Sequence, residues 1–377
     1  MRWDAIVIGG GIVGASLAYH LAKEGLKTRL IDRHDTARAT DAGAGILSPE
    51  TSSIDSEDWY HFGVASVNYY QPLVANLDKE QDADTGYAMC GLLRLAVADD
   101  EVPLFDTARE IVFRRQQENQ SPSLDDLHDI APHDAQAYFP ALGEVQKAFY
   151  HRKAARVDGR FLCEALIKAA VSYGLDVQNA SVDSLLIENQ QIKGVVVDGE
   201  EILAGHVAIA GGAWSRNFGE QLKVQIPVEP QRGQIIHLQL DEQDTSDWSI
   251  LHPFRGHYMV SREAGRVIVG ATRETGSGFD TRTSASGIRD VLDEALRVAP
   301  SLSSARLLEV RVGLRPNTLD SLPILGTVPN FDNIYLATGH GASGLQLAPY
   351  SGKLIADMMA GNPSEYDISP FHITRFL

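Results

Sequence analysis

The sequence predicts an α/β fold that is interrupted by a second domain built on an antiparallel sheet. Strand, glycine turn and helix follow one another at the start, in the middle and at the end of the chain, whereas alternating segments typical of antiparallel strands lie between them. We therefore expect an α/β domain formed by residues 1–50, 151–225 and 311–377. The inserted, discontinuous antiparallel-sheet (α+β) domain is expected to comprise residues 51–150 and 226–310.

The N-terminal unit is the clearest part of this pattern. Residues 5–8 form an apolar run typical of a buried parallel strand, and the apolar positions of residues 12–23 recur at helical spacing. Residues 28–31 are a second strand, and Asp32 follows it. Together they make a β-α-β unit of the length that a Rossmann-like fold requires.

The remaining elements are predicted from apolar periodicity and from the positions of glycine and proline. Helices are expected at residues 55–80, 104–117, 161–171, 286–298 and about 346–359. Strands are expected at residues 175–177, 181–188, 192–198, 207–210, 234–240, 266–269 and 334–338, and loops at 36–53 and 121–129.

Composition and charge exclude several classes of function. The chain has 377 residues, enough for two domains, and a formal net charge of -17. Such acidity repels nucleic-acid phosphate and anionic lipid, so neither is an expected partner. Cys90 and Cys163 are far apart and no Cys/His cluster occurs, so we expect neither a metal site nor a disulfide framework. Because the sequence has no run of 18 apolar residues and no signal peptide, we expect a cytoplasmic protein.

The turn at residues 9–14 (GGGIVG) predicts a dinucleotide site. Gly9 allows the tight turn, Gly11 lets a diphosphate approach the backbone, and Gly14 lets the helix pack on the strand. A carboxylate at Asp32 can then accept a hydrogen bond from a ribose hydroxyl. Strand, turn, helix, strand and acid therefore appear in the order that this site needs.

A second glycine-rich loop, residues 339–344 (GHGASG), stands between a predicted strand and the last helix. Too little chain follows for another β-α-β unit, so a flavin explains this loop better than a separate NAD domain. The helix dipole near Gly344 can stabilise negative charge on a reduced flavin ring. Glycine-rich helix caps are common, so a simple structural cap is the alternative interpretation.

Several segments, taken in order, resemble the D-amino-acid oxidase family of flavoproteins, which includes glycine oxidase, sarcosine oxidase and D-amino-acid dehydrogenases. They span nearly the whole chain and are residues 6–14 (IVIGGGIVG), 42–47 (AGAGIL), 210–215 (AGGAWS), 313–316 (GLRP) with 322–326 (LPILG), and 339–344 (GHGASG). The combination is specific to the family and not to one substrate.

The resemblance implies that FAD is bound by residues in each of these segments. Members with covalent flavin carry a cysteine near the GLRP position, where this chain has Gly313, so the FAD is expected to be non-covalent. Besides Gly9, Gly11 and Gly14, the expected cofactor-binding residues are Ile12, Val13, Asp32, Arg33, Ala39, Thr40, Ala44, Gly45, Ile46, Val182, Gly212, Trp214, His340, Gly341, Ala342, Ser343, Gly344, Leu345 and Gln346.

The same resemblance assigns Arg315 and Tyr258 to the substrate. An arginine can bind a carboxylate through two parallel hydrogen bonds, and relatives use the arginine of GLRP in this way, helped by a tyrosine. Arg232 is a further candidate cation, which would admit dicarboxylate substrates if it faces the pocket. Strand alternation points His257 away from Tyr258.

Two arginines receive no site role at this stage. Arg94 and Arg262 are read most simply as surface or strand residues.

We therefore expect an FAD-dependent amine oxidase or dehydrogenase that acts on glycine, a D-amino acid or an N-substituted glycine. Hydride transfer to the flavin would give an imine, which water converts to a 2-oxo acid. The expected electron acceptor is oxygen or a quinone-type carrier. A homo-oligomer is possible, and the sequence does not decide the oligomeric state. Rival hypotheses are a 2-hydroxy-acid dehydrogenase with His257 or His340 as base, a non-catalytic flavoprotein subunit, and an NAD enzyme.

Overall fold

The computed structural model describes residues 2–241 and 243–377. Helices and strands are numbered in chain order. The helices are α1 Ile12–Lys23, α2 Glu57–Gln81, α3 Val102–Asn119, α4 Gly159–Ser172, α5 Gly219–Leu222, α6 Ala285–Val298 and α7 Gly344–Ala360.

The first sheet is mainly parallel and forms the α/β part of the molecule. Its strands are β1 Arg2–Ile8, β2 Thr28–Asp32, β9 Asp176–Asn179, β10 Ser184–Glu188, β11 Gln191–Val197, β12 Glu200–Ile209, β18 Ile324–Thr327 and β19 Ile334–Thr338. Strands β1, β2, β9 and β19, together with the second half of β12, run parallel, whereas β10, β11 and β18 pair antiparallel with their neighbours. Helices α1, α4 and α7 cover one face through a common apolar core.

The second sheet is mainly antiparallel and is built from the middle of the chain. Its strands are β5 Leu92–Ala96, β6 Leu127–Ile130, β7 Lys147–His151, β13 Glu229–Gln239, β14 Ile250–His252, β15 Tyr258–Ser261, β16 Arg266–Gly270 and β17 Arg306–Asn317. One pair, β5 with β14, is parallel. Short strands β3 Ile46–Leu47, β4 Ala88–Met89 and β8 Ala155–Arg156 form a third sheet.

The expected fold class, a Rossmann-like domain with an antiparallel-sheet domain inserted into it, is confirmed. Helix α1 has the bounds expected, and the other long helices agree within a few residues. The predictions of loops at residues 36–53 and 121–129 were wrong in part, because residues 46–47 and 127–130 form strands β3 and β6. Strand β17 lies in the second sheet along its whole length, so residues 311–317 lie with the antiparallel strands.

No helix within residues 2–241 and 243–377 combines the length and apolar character needed to cross a bilayer.

Candidate active site

A long cleft lies between the two large sheets. The parallel strands β1, β2, β12 and β19 all end at one edge of the first sheet, which is where α/β folds bind ligands. The pocket-facing side of the second sheet, with β15 and β17, forms the opposite wall. The cleft is therefore contiguous from the N-terminal glycine turn to the second sheet.

The glycine turn after β1 is shaped by contacts that exclude side chains. Gly9 has φ +101°, and a Cβ there would lie 2.6 Å from the Ala210 carbonyl oxygen. A Cβ on Gly14 would lie 1.9 Å from the Gly9 carbonyl oxygen, so Gly14 serves helix packing. Helix α1 has Gly11 at its N-cap and no acid in its first turn, and the Ile12 N–H donates a 3.0 Å hydrogen bond to Thr40 Oγ1. The N–H groups that follow Ile12 in the first turn are therefore suited to a phosphate.

The structure gathers nearly all the residues expected at the cofactor. Gly14 and Ser343 are the exceptions, since neither lines the cleft. Those that line it are Gly9, Gly11, Ile12, Val13, Asp32, Arg33, Ala39, Thr40, Ala44, Gly45, Ile46, Val182, Gly212, Trp214, His340, Gly341, Ala342, Gly344, Leu345 and Gln346.

The carboxylate expected at the ribose carries a partner that the sequence did not indicate. Asp32 ends β2, and its Oδ2 lies 3.0 Å from Nη1 of Arg38. Arg38 also pairs with Asp41, and Arg33 pairs with Asp35. The arginines at this end of the cleft are thus neutralised by carboxylates of the chain itself.

The second glycine loop leads into α7 and leaves two buried nitrogen atoms without partners among the described residues. His340 is 2% exposed, and its Nε2 lies 2.9 Å from Ser351 Oγ, but its Nδ1 has no partner. Gln346 accepts a hydrogen bond from the Ser48 backbone N–H, whereas its Nε2 is unsatisfied. Burial lowers the pKa of His340 to about 3, so the ring is neutral.

Arg315 and Tyr258 lie together on the cleft wall of the second sheet. Arg315 is on β17, and its Nη1 donates a 3.0 Å hydrogen bond to the Thr272 carbonyl oxygen. Its guanidinium fits because β13 carries Gly233, where a Cβ would lie 2.4 Å from both Nη atoms. Burial lowers the pKa of Arg315, and no carboxylate of the described residues forms an ion pair with it.

The other candidate cation, Arg232, does not line the cleft. Its guanidinium pairs with Glu274 and Asp280, at N–O distances of 2.5 and 2.7 Å. His257 also lies outside the cleft lining, with its Nδ1 3.0 Å from the Arg255 carbonyl oxygen.

Three arginines differ from what the sequence suggested. Arg273, directly after β16, lines the cleft and was missed. Arg94 and Arg262, expected to be surface or strand residues, are only 7% and 6% exposed; Arg94 lies in strand β5, and Arg262 directly follows β15. The signal available for Arg94 was a cation inside the apolar run Leu92–Ala96, which is unusual for a buried strand.

Comparison with known proteins identifies the chain. The family model "FAD dependent oxidoreductase" (DAO) matches residues 4–358. The chain belongs to this family. The resemblance to the D-amino-acid oxidase family is thereby confirmed, and the protein is an FAD-dependent enzyme.

Members of the family with similar sequences and structures align over nearly the whole chain. The uncharacterized oxidoreductase YurR of Bacillus subtilis (strain 168) is 36% identical over 97% of both chains. The crystal structure of iminodiacetate oxidase from Chelativorans sp. BNC1 is 36% identical, with a TM-score of 0.93 over 98% of both chains. Glycine oxidase from Geobacillus kaustophilus is 26% identical, with a TM-score of 0.89 over 100% of this chain and 99% of that one.

The residues of the cleft fit FAD. The glycine turn and the N-terminus of α1, which has no acid in its first turn, suit the diphosphate, and the unsatisfied nitrogens of His340 and Gln346 lie where the second glycine loop borders the cleft. Unsatisfied buried polar atoms are rare, so their presence along the wall of a ligand site is consistent with partners supplied by the ligand.

Proposed function

We propose that this enzyme oxidises the C–N bond of a small amine that bears a carboxylate: glycine, a D-amino acid or an N-substituted glycine. The observation that carries the proposal is Arg315, a guanidinium on the cleft wall with which no carboxylate of the described residues forms an ion pair. A buried cation without a partner is costly, and arginine keeps its proton at every physiological pH. A substrate carboxylate would supply the missing charge.

The names of two similar structures support an amine substrate. Glycine oxidase and iminodiacetate oxidase are both named for molecules that contain the group N–CH2–COO⁻. A site that binds this group needs a cation for the carboxylate and space for the amine between that cation and the cofactor. Arg315 and the adjoining cleft meet both needs.

Each residue has a defined task in this proposal. Arg315 binds the carboxylate, and Tyr258, whose pKa burial raises, donates its O–H to the same group. Together they position the carbon whose hydride is to be lost. FAD bound in the cleft would supply the hydride acceptor for this carbon, and the amine nitrogen would release a proton so that a C=N bond forms. Water adds to the imine and gives a 2-oxo acid and ammonia or an amine.

The 2-hydroxy-acid hypothesis is less well supported, because it needs a general base. His340 has a pKa of about 3, and its Nε2 is engaged by Ser351. His257 does not line the cleft. An amine substrate that reacts in its neutral form needs no such base.

We further propose that the FAD is held without a covalent bond by the cleft-lining residues named above. Neither Cys90 nor Cys163 lines the cleft; Cys163 is buried behind the glycine turn, with its Sγ 3.3 Å from the Gly10 carbonyl oxygen. Oxygen and a quinone-type carrier stay as the candidate acceptors. No lysine stands among the described cleft-lining residues to promote the oxygen reaction.

Anaerobic reduction of the bound flavin tests the proposal. Glycine, sarcosine, D-proline and other D-amino acids are expected to bleach the flavin absorption, whereas glycolate and lactate are not. Bleaching by hydroxy acids alone would favour the dehydrogenase hypothesis. Bound flavin that no small acid reduces would favour a non-catalytic subunit. Admission of air or of a soluble quinone then identifies the acceptor by the rate at which colour returns.

A further inference from the structure

The substrate wall carries two more arginines without carboxylate partners. Arg273 lines the cleft and forms no ion pair among the described residues. Arg94, on β5, is 7% exposed and has no hydrogen-bond or ion-pair partner in the described part of the chain. The mechanism proposed above uses neither of them.

Sheet pairing places Arg94 on the same wall as Tyr258. Arg94 pairs with His252 of β14, and Leu251 pairs with Met259, so that His252 lies beside Tyr258 of β15. Arg94, His252 and Tyr258 therefore form a row across three strands, on the side opposite the Leu93–Leu251–Met259 core. Because neighbouring strands are about 4.8 Å apart, the row extends from the Arg315 site roughly 10 Å along the wall.

One loop brings the two arginines together. Residues 253–257 connect β14 to β15. The Arg94 guanidinium lies 4.2 Å from the centre of the Phe254 ring, and Nε of Arg273 is 4.0 Å from where a Cβ on Gly256 would lie. His252 lies between them and is held neutral, since burial and then the charges of Arg94 and Arg273 lower its pKa well below the usual value.

No carboxylate of the described residues forms an ion pair with this cluster. Desolvation is the cause that lowers the pKa of Arg94, to about 10, and the charged groups that act on His252 are both arginines. Tyr258 and Arg315 also lie near Arg273; Glu274, which raises the pKa of Arg315 less than Tyr258 does, is itself paired with Arg232. A chain with a net charge of -17 thus brings together three arginines without ion pairs among the described residues, of which Arg315 and Arg273 line the cleft and Arg94 is buried on β5. Such a cluster is unfavourable unless an anion binds it.

We propose that Arg94 and Arg273 form a second anion-binding subsite, which takes the distal carboxylate of an amine that bears two carboxylates. The inference rests on the proposed function, because Arg315 must hold the carboxylate next to the reacting carbon. The substrate is then a dianion of the iminodiacetate type, with the amine between its two carboxylates. Arg315 and Tyr258 bind one end, and Arg273, with Arg94 behind it, binds the other.

Binding of unreactive analogues tests the subsite without turnover. Oxydiacetate has an ether oxygen in place of the amine, and methoxyacetate differs from it by lacking the second carboxylate. Each is titrated into the FAD-bound enzyme and followed by the change in flavin absorption. Oxydiacetate is expected to bind at least about tenfold more tightly, and this preference should weaken as salt is raised. Equal affinity would overturn the proposal.

Two variants test whether Arg273 and Arg94 bind the distal carboxylate of oxydiacetate. Arg273→Met and Arg94→Met are each expected to lower the oxydiacetate-to-methoxyacetate preference by about tenfold or more, while methoxyacetate itself binds as in the wild type. Arg273 is exposed to the cleft, so its replacement tests the subsite even where the buried Arg94→Met variant fails to fold. Arg109→Met, at an exposed arginine paired with Asp129, is the matched control and should leave the preference unchanged.

Turnover of iminodiacetate and sarcosine gives the matching kinetic test, since the two substrates also differ by one carboxylate. In the Arg273 and Arg94 variants, KM for iminodiacetate should rise by about tenfold or more, with kcat and the sarcosine parameters little changed. If sarcosine reduces the flavin but iminodiacetate is no better and the variants have no effect, the subsite fails and the proposed function stands. If neither these two amines nor glycine nor any D-amino acid of the anaerobic screen reduces the flavin, the proposed function fails as well.

Discussion

The arginines at the two ends of the cleft differ in whether carboxylates of the chain form ion pairs with them. At the glycine turn, Arg33 and Arg38 are paired with Asp35, Asp32 and Asp41, so a diphosphate bound there would depend on backbone N–H groups. On the second sheet, Arg315 and Arg273 line the cleft and Arg94 is buried on β5, and none of the three forms an ion pair among the described residues. A cofactor that stays bound needs shape and main-chain donors, whereas a substrate that comes and goes can supply the counter-charge itself.

A large effect is expected from filling the backbone cradle at the first end. A Cβ on Gly11 meets nothing closer than Thr40 Oγ1 at 3.2 Å, so Gly11→Val should fold, yet its side chain occupies the approach of the diphosphate. We expect bound FAD to fall by about tenfold or more. The ratio of flavin to protein absorption after gel filtration measures this. Circular dichroism checks the fold, and a yellow, fully loaded variant would contradict the placement of the diphosphate.

Removal of Arg315 tests the second end. Arg315→Ala is expected to cost roughly 2–5 kcal/mol in kcat/KM, as for a lost buried charge pair, with FAD content unchanged. Steady-state kinetics with the best amine from the flavin-reduction screen gives the value. Loss of FAD with normal substrate affinity would falsify the assignment of Arg315 to the substrate.

A buried carboxyl group without a neighbouring cation can avoid the cost of a buried charge by binding a proton, whereas a buried arginine stays charged. Glu50 has a side chain 15% exposed and an Oε2 without a hydrogen-bond partner among the described residues, and burial raises its pKa to about 7 from 4.5. The folded state therefore binds this proton more tightly than the unfolded state. The free energy of unfolding that Glu50 contributes falls as pH rises from about 4.5 to above 7.

Glu50→Gln should remove that fall. Relative to the wild type, the variant is expected to gain up to about 3 kcal/mol of stability between pH 4.5 and pH 8.5. Urea unfolding of both proteins at the two pH values provides the measurement. A stability difference that does not change with pH would show that Glu50 does not titrate in this range.

The smallest effect is expected at Arg232, whose charge is already compensated. Arg232→Met should leave KM for the amine within about twofold of the wild type, because a charge paired with two carboxylates contributes little field in the cleft. The same kinetic assay as for Arg315→Ala gives the comparison. A rise in KM as large as that of Arg315→Ala would erase the distinction between paired and unpaired arginines.

The sequence predicted the strand, glycine turn and helix at the first end of the cleft well because their signals are local. Strand β1, the glycine turn and helix α1 follow one another within the chain, and each residue's requirement can be read from its neighbours. Arg315 and Tyr258 were found through the family motifs, and the structure brings them together on β17 and β15. Strand β17 itself was missed because it is an edge strand without clean alternation of buried and exposed residues.

The substrate end depends on tertiary pairing and was harder to predict. Arg232 and Arg273 are equally plausible cations in sequence; they differ because Glu274 and Asp280 reach Arg232 and leave Arg273 to the cleft. Arg94 joins the same wall through parallel pairing of β5 with β14, strands separated by more than 150 residues. No local pattern encodes such a pairing.

One buried side chain holds the two walls of the cleft together. Arg262, just after β15, donates to the carbonyl oxygens of Ala44, Gly86 and Val157, and Ala44 itself borders the cleft. The sheet that carries Tyr258 is thereby fastened to the loop beside the cofactor. The spacing between the two walls is consequently set when the chain folds, and heat should abolish turnover and tertiary structure at one and the same temperature.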